Sequence, residues 1–407
     1  MSLTIAIVHN AYGKVSGEEI VIDDLVQLLQ SRGVTVKRFS RSSAEIEDTR
    51  LGKISAFFSG FHNPFSRRAF GQFLRDNRPD VVHIHNLYPL ISPSILPECT
   101  AQGIPVVMTV HNFRLACPNG LLMSHGEICD RCLGGREYWC IFRNCEESIL
   151  KSTGYALRTA TARILRCYYD NVNHFICLSV FQKNILLKEG LPADRVTVLA
   201  NPFSFTGETI SNKESGGYVA YVGRISPEKD VLTLIEAARK LDNIQFKFAG
   251  DYHRMPEVIK QKPDNCEFLG QLNSEDIVQF YQNARIIVFA TRCYEGFPTV
   301  LLEAMSHSLP VICSRIGGLP EIVDDRITGL LYEPGNADEL ADHLRTLWQN
   351  PALCQKLGDA GRRKVLEDYA AERLLDRLLG IYEKVISENG RRRTKNRGLR
   401  AEDGNAD

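Results

Sequence analysis

Residues 286–303 read Ile286-Ile-Val-Phe-Ala-Thr-Arg-Cys-Tyr-Glu-Gly-Phe-Pro-Thr-Val-Leu-Leu-Glu303. Ile286–Ala290 is an unbroken apolar run, as expected of a strand buried on both faces of a parallel sheet. A helix is predicted to begin near Thr299, directly after Pro298. In an open parallel sheet, ligands bind beyond the carboxyl ends of the strands, so Glu295 falls where a ligand belongs. Gly296 allows close backbone approach, and the amides of Phe297, Thr299 and Val300 at the helix start can receive anionic or hydroxyl groups. Glu303 lies further along that helix. Two carboxylates so placed can grip hydroxyl groups, and they can equally be charges that suit the helix dipole.

The same strand, turn and helix unit recurs on both sides. Thr4–Val8 is followed by a helical run from Glu19 to Ser31, with Val21, Leu25, Leu28 and Leu29 on one face and Gly33 closing it. Further strands are predicted at Val34–Phe39, Val81–Ile84, Val106–Val110, Phe175–Leu178 and Val196–Leu199. The pattern pauses at Asn201-Pro202, and 206–217 is polar and Gly/Ser-rich, as a linker is. It restarts with Tyr218–Val222, a helix over 230–241, Ile244–Ala249, a helix over 274–283, Ile286–Ala290, a helix over 299–307 and Val311–Cys313. The fold class is therefore α/β, with two Rossmann-like parallel-sheet domains. The first is predicted over 1–205 and the second over 206–366. A helix over 367–390 would return to the first domain, and 391–407, charged and without an apolar face, is predicted to be a disordered tail.

With 407 residues, 44% of them hydrophobic and 24% charged, the chain suits a two-domain soluble protein. No apolar run reaches the roughly 18–20 residues of a membrane span, and the first residues lack the pattern of a signal peptide, so a cytoplasmic location is expected. Residues 1–200 hold 22 Lys and Arg against 18 Asp and Glu, and the remainder holds 27 against 31. That asymmetry is too mild for a nucleic-acid-binding protein. Within 151–190, Lys151, Arg158, Arg163, Arg166, Lys183 and Lys188 face only Asp170 and Glu189, a balance that suits contact with an anionic membrane or a solvated helix face. Of the 12 cysteines, Cys117, Cys129, Cys132, Cys140 and Cys145 crowd one insertion, 116–145. Cys129-x2-Cys132 with Cys117 and Cys145 could form a structural zinc site; buried reduced thiols or a redox pair would use the same residues.

Two more motifs follow strand ends in the second half. Gly223-Arg-Ile-Ser-Pro-Glu-Lys229 sets Arg224 and Lys229 across a Pro-containing turn, where two cations can converge on a diphosphate. Gly317-Gly318-Leu-Pro-Glu321 exposes backbone amides before a helix. In the first half, Gly17 opens the first helix, His111 ends the strand Val106–Val110, and His83, His85 and Asn86 end the strand Val81–Ile84. His85 or Asn86 could line an acceptor cleft, and His83 is expected to pack internally.

In this order and spacing, Gly223/Arg224/Lys229, Glu295-x7-Glu303 and Gly317-Gly318-x-x-Glu321 resemble the family 4 glycosyltransferases, which have the two-Rossmann GT-B fold and retain anomeric configuration. The resemblance implies that Arg224 and Lys229 hold the donor pyrophosphate, Glu303 the ribose, and Glu295 with the amides after it the transferred sugar. It implies donor contacts from Gly17, Gly223, Gly270, Gly296, Phe297, Gly317 and Gly318, and a catalytic role for His111. Asp230 departs from the family pattern, which has Gly after the Lys. The implied reaction moves a sugar from a nucleotide-diphospho-sugar to a saccharide or lipid-linked acceptor, in polysaccharide or lipopolysaccharide assembly, with no cofactor required for transfer. A nicotinamide-dependent oxidoreductase would need Gly-x-Gly-x-x-Gly after the first strand, and His9–Glu19 has none. A non-catalytic, nucleotide-sugar-binding scaffold of the same fold is the remaining rival.

Overall fold

The computed structural model describes residues 3–12, 17–46, 59–60, 62–204 and 217–403, with side chains as far as Arg391. The polypeptide divides into two compact units. The first comprises 1–120, 130–202 and 371–407, and the second 121–129 and 203–370.

In the first unit, β1 (Thr4–Ala11), β2 (Thr35–Ser42), β3 (Val81–Asn86), β4 (Val106–Val110), β7 (His174–Cys177) and β8 (Val196–Val198) form a parallel sheet in the order β2-β1-β3-β4-β7-β8. The two-stranded hairpin of β5 (Met123–Ser124) and β6 (Glu127–Ile128) lies in the cysteine-rich insertion. The second unit holds β9 (Val219–Val222), β10 (Phe246–Ala249), β11 (Cys266–Gly270), β12 (Ile286–Phe289), β13 (Val311–Ser314) and β14 (Gly329–Tyr332), parallel in the order β11-β10-β9-β12-β13-β14. Every residue of β3, β4, β7, β12, β13 and β14 is buried, which explains why β12 is a continuous apolar run and why the polar residues of β3, His83, His85 and Asn86, are buried as well. In each sheet the chain adds strands first to one side of its opening strand and then to the other. The crevices at β1/β3 and β9/β12 are the topological switch points where such sheets take ligands.

Helices cover the sheets through apolar stripes. Helix Ala337–Gln349 starts at Asn336, whose side chain accepts from the Glu339 amide, carries Asp338 and Glu339 in its first turn, and buries Leu340, Ala341, Leu344 and Leu347. Those leucines join Tyr221, Phe246, Phe248 and Leu234 in the core of the second unit. Where the sequence predicts an end to order at Gly390, the last helix runs unbroken over Ala371–Asp403. Arg and Lys are good helix formers, so a charged segment with no apolar face can still extend an anchored helix. The anchor is Leu374, Leu375, Leu378, Tyr382 and Val385, all buried.

The basic stretch 151–190 is not one surface. It is divided among helix Ile149–Ile164, helix Cys167–Asn171, β7 and helix Val180–Lys188. Arg158 points inward and is only 7% exposed. Residues 57–61 read Phe-Phe-Ser-Gly-Phe, an aromatic segment that would suit a lipid-linked acceptor, and of these only Ser59 and Gly60 are among the described residues.

Three glycines close the carboxyl ends of β9, β10 and β11 on one another. The Gly223 amide donates to Ala249 O at 3.0 Å, and the Gly250 amide to Gly270 O at 2.7 Å. Gly250 has φ +153°, and a Cβ there would stand 1.8 Å from Gly223 O. Gly250→Ala is expected to destabilise the protein by about 2–4 kcal/mol, from backbone strain added to overpacking. Gly380→Ala, at a helical position with open space around it, should be neutral or stabilising. Urea unfolding of the two variants tests this, and equal midpoints would contradict it.

Candidate functional site

In the second unit, the residues singled out by the sequence stand at the carboxyl ends of β9, β12 and β13, three adjacent strands. Gly223 and Arg224 follow β9, and Lys229 ends the short 3-10 turn Pro227–Lys229. Glu295 follows β12, Glu303 sits in helix Thr299–Ser306, and Gly317-Gly318 follows β13.

Lys229 and Glu295 are joined directly. Lys229 Nζ donates to Glu295 Oε1 at 2.6 Å, with both side chains 16% exposed. The Thr291 hydroxyl donates to the same carboxylate oxygen at 3.0 Å, and the Cys293 thiol lies 3.7 Å from it. Burial works against the charge on Glu295, but Lys229 and these donors outweigh it, and its carboxyl sits below the usual range. Burial likewise opposes the charge on Lys229, and Glu295 more than compensates. Arg224 lies close enough to act electrostatically on Lys229, and it contacts Glu228 at 3.4 Å. Its side chain is 57% exposed, so it faces solvent while Lys229 is held inside. Glu303 accepts from the Tyr281 hydroxyl at 2.8 Å. Gly270 and Gly317 have positive φ, as tight turns at strand ends require.

Asp230, the departure from the family's Gly, has φ +49°. Its carboxylate accepts from Arg292 Nε at 2.6 Å, the Thr233 hydroxyl at 2.7 Å and the Gly335 amide at 3.0 Å. Three bonds to a buried carboxylate hold a left-handed conformation that glycine adopts freely, so the turn carrying Lys229 is kept by other means. The short spacing Glu-Lys-Asp in the sequence gives no sign of this. Tyr281 and Gly250 also had no signal, because their partners lie further away along the chain, and Thr291 and Cys293, although near Glu295 in sequence, belong to no motif that marks them as its donors.

In the first unit, His111 and His85 meet across β4 and β3. His85 Nδ1 and His111 Nε2 are 2.8 Å apart, and their rings stack at 5.1 Å. His83 lies behind them, bonded to the Tyr382 hydroxyl and the Thr109 hydroxyl, both at 2.7 Å. It packs internally, as expected from the sequence. Burial lowers the His111 pKa to about 4 and the His83 pKa to about 3, and depresses His85 well below 6.5 with help from its histidine neighbours. The imidazoles are therefore neutral at pH 7. One member of the His85/His111 pair donates and the other accepts, so the tautomer of His111 is set by His85. A small pocket of about 20 Å³ lies over them, lined also by Asn86, Asn112 and Arg114. Asn86 commits its amide to Asn10 O, Tyr88 O and the Tyr88 amide, and so fixes the loop after β3. Gly17 begins helix Gly17–Ser31, where a Cβ would meet nothing within 4 Å, and 13–16 lie outside the described residues.

The cysteine cluster differs from the predicted set. Cys132 is hydrogen-bonded to Cys117, and Cys140 to Cys145. Cys140 and Cys132 share a small core with Ala156, Trp139 and Cys145, whereas Cys129 lies just past β6 outside that core. Among the described residues no group of three or more His, Cys, Asp or Glu is arranged to hold a metal ion. The thiols that act on one another are Cys117, Cys132, Cys140 and Cys145, so Cys140 stands where the sequence expectation had Cys129. Hydrogen bonding between thiols, then burial, raises the Cys132 and Cys140 pKa values, so both stay protonated.

Two Rossmann-like units, with charged and glycine-rich turns at their switch points, define a GT-B fold. Two family models match in tandem: Glycosyltransferase Family 4 over residues 15–204 and Glycosyl transferases group 1 over 208–364. The chain belongs to the group 1, family 4 glycosyltransferases. It is 32% identical over 219 residues to an uncharacterised glycosyltransferase of Methanocaldococcus jannaschii, which covers 53% of this chain and 60% of that protein. It is 23% identical to the O-antigen chain mannosyltransferase C of Escherichia coli, over 91% of this chain and 95% of the relative. The chain thus spans less than two thirds of the first of these and nearly all of the second. The solved structure of Anabaena HepE in complex with UDP-glucose superposes with a TM-score of 0.65 at 16% identity, covering 94% of this chain and all of that one.

The neutral histidines give a sign to the acid response. Their folded pKa values lie below the unfolded value near 6.5, so the unfolded chain takes up protons first as pH falls, and stability is lost below about 6.5. Between pH 7 and pH 5 the expected loss is about 2 kcal/mol for each buried imidazole. Urea midpoints at the two pH values should draw together in His83→Gln relative to the unsubstituted protein. An unchanged pH dependence would count against the neutral assignment.

Proposed function

We propose that this protein is a retaining glycosyltransferase that moves a sugar from a nucleotide-diphospho-sugar to a saccharide or lipid-linked acceptor. The observation that carries the reading is the gathering of Arg224, Lys229, Glu295, Glu303 and Gly317-Gly318 at the carboxyl ends of β9, β12 and β13. Those strands flank the switch point of their sheet, where backbone amides and helix starts favour an anion. The complex of Anabaena HepE with UDP-glucose and the O-antigen chain mannosyltransferase C of Escherichia coli support a nucleotide-sugar donor and a saccharide acceptor.

Arg224 and Lys229 would hold the diphosphate, with the amides of Gly317 and Gly318, and stabilise the negative charge that grows on it as the glycosidic bond breaks. The pairing with Glu295 keeps Lys229 protonated until the donor arrives. Glu303, oriented by Tyr281, would bind the ribose hydroxyls. Glu295, with the Gly296 and Phe297 amides, would bind the transferred sugar. Gly223 and Gly270 would shape the turns around the nucleotide, and Gly17 would approach its phosphates.

His111, held in one tautomer by His85, would contact the transferred sugar. The acceptor hydroxyl attacks on the face the leaving group departs from, so configuration is kept, and the leaving phosphate takes the proton. Transfer of this kind needs no metal or cofactor. Among the described residues no helix is long and apolar enough to cross a membrane, and a location in the cytoplasm, with peripheral contact at an anionic membrane, completes the proposal.

Lys229→Ala is expected to lower kcat by about 100-fold or more, the usual effect of removing one electrostatic stabiliser from an acyl- or phosphoryl-type centre. Near-normal turnover would remove the diphosphate assignment. A panel of nucleoside diphosphates at about 100 times Kd should stabilise the protein by about 2.7 kcal/mol when the right base is present. Thermal unfolding with no responder in the panel would count against a nucleotide-sugar donor, whereas a responder without any transfer activity would favour the scaffold reading.

A further inference from the structure

Beyond the small pocket over His85 and His111, the first unit contains a cavity of about 500 Å³. The two share Tyr88, Arg114, Leu115 and Tyr168 as common wall. The larger space is of a size suited to a small-molecule ligand of the roughly 300–1,000 Å³ class. Its lining carries four cations, Arg114, Arg163, Arg166 and Lys188, against one carboxylate, Glu189. Glu189 is already engaged by the Gly134 amide at 2.8 Å. Arg163 and Arg166 pair with Glu137 and Asp170, at 2.7 and 3.0 Å, and each keeps other N–H groups to donate.

A fifth cation stands behind the shared wall. Arg158 is only 7% exposed, stacks over Tyr88 at 4.0 Å and over Tyr155 at 4.3 Å, and has no hydrogen-bond partner for Nε. It donates to the Pro118 carbonyl at 3.3 Å, and no carboxylate pairs with it among the described residues. A buried cation held by aromatic faces and one carbonyl raises the positive potential of the wall that both pockets use. Such a charge is costly unless the site works on anions. Between Arg163 and Arg166 in sequence, though not part of the lining, the apolar side chains of Ile164 and Leu165 are 67% and 66% exposed.

We infer that the cavity bounded by Tyr88, Arg114, Arg163, Arg166, Tyr168 and Lys188 is the acceptor site, and that the acceptor is anionic, carrying a phosphate or diphosphate ester. This rests on the glycosyltransferase reading above and names the class of its second substrate. Tyr88 and Tyr168 offer ring faces to a sugar, the cations take the phosphate, and the shared wall delivers a sugar hydroxyl towards His111. One chemistry has two sources. A soluble sugar phosphate would use the cations alone, whereas a lipid-borne diphosphate would also lay its first carbons along Ile164 and Leu165.

The test uses the full chain carrying Lys229→Ala, so that the proposed donor cradle does not itself bind the probes. Calorimetric titrations with inorganic pyrophosphate, farnesyl diphosphate and farnesol are compared with the same titrations after adding Arg166→Gln and Lys188→Gln. Both residues are exposed, and unfolding midpoints confirm that the variant is folded. The diphosphates are expected to bind, and the double substitution to weaken them at least ten-fold. Farnesyl diphosphate binding ten-fold or more tightly than pyrophosphate supports the site with a lipid-borne acceptor, and equal affinities support it with a soluble one. Three results overturn the inference: neither diphosphate binds, farnesol binds as tightly as farnesyl diphosphate, or the double substitution changes nothing. Failure of the donor reading appears elsewhere, as normal turnover in Lys229→Ala or no response to any nucleoside diphosphate.

Discussion

The constraint beneath everything described above is that all strands of each six-stranded sheet run the same way. Parallel pairing sends every strand's carboxyl end to one edge and every following helix start to the same edge. The charged and glycine-rich turns of the second unit are far apart in sequence, at 223–229, 295–303 and 317–318, yet the alignment of β9, β12 and β13 makes them neighbours. Lys229 and Glu295 then meet, and each offsets most of the cost of burying the other's charge.

Much of this was legible from residue order. A run such as Ile286-Ile-Val-Phe cannot face water on either side, so the parallel sheet and its edge could be placed before any coordinates. The motif positions followed from strand ends. What sequence could not convey was which distant groups complete them. Tyr281 orients Glu303 from a preceding helix, Thr291 shares the Glu295 oxygen with Lys229, and Asp230 holds its left-handed turn through Gly335, 105 residues away. The close approach of Gly250 to Gly223 depends on the stagger of β9 against β10 and leaves no periodic trace. Linear spacing also misassigned the thiols: Cys129-x2-Cys132 suggests a ligand pair, but the chain turns Cys132 towards Cys117 and leaves Cys129 by the β5/β6 hairpin.

The two units handle charge differently. In the second, cation and carboxylate face each other at 2.6 Å and stay ionised together. In the first, desolvation removes charge from His83, His85 and His111, and polarity survives as two sets of neutral hydrogen bonds, Thr109 and Tyr382 on His83 and His85 on His111. A neutral, oriented imidazole suits contact with sugar hydroxyls, while a paired lysine suits a diphosphate that brings its own negative charge.

The closing helix ties this to the order in which the chain is made. Tyr382 donates to or accepts from His83 across 299 residues, and Leu374, Leu375 and Leu378 fill space in the unit begun by β1. During synthesis the ribosome must finish the entire second unit before that space can be filled. The first unit to emerge is therefore the last to be completed, and a nascent chain halted near residue 370 would present a bare apolar trough to the cell's chaperones.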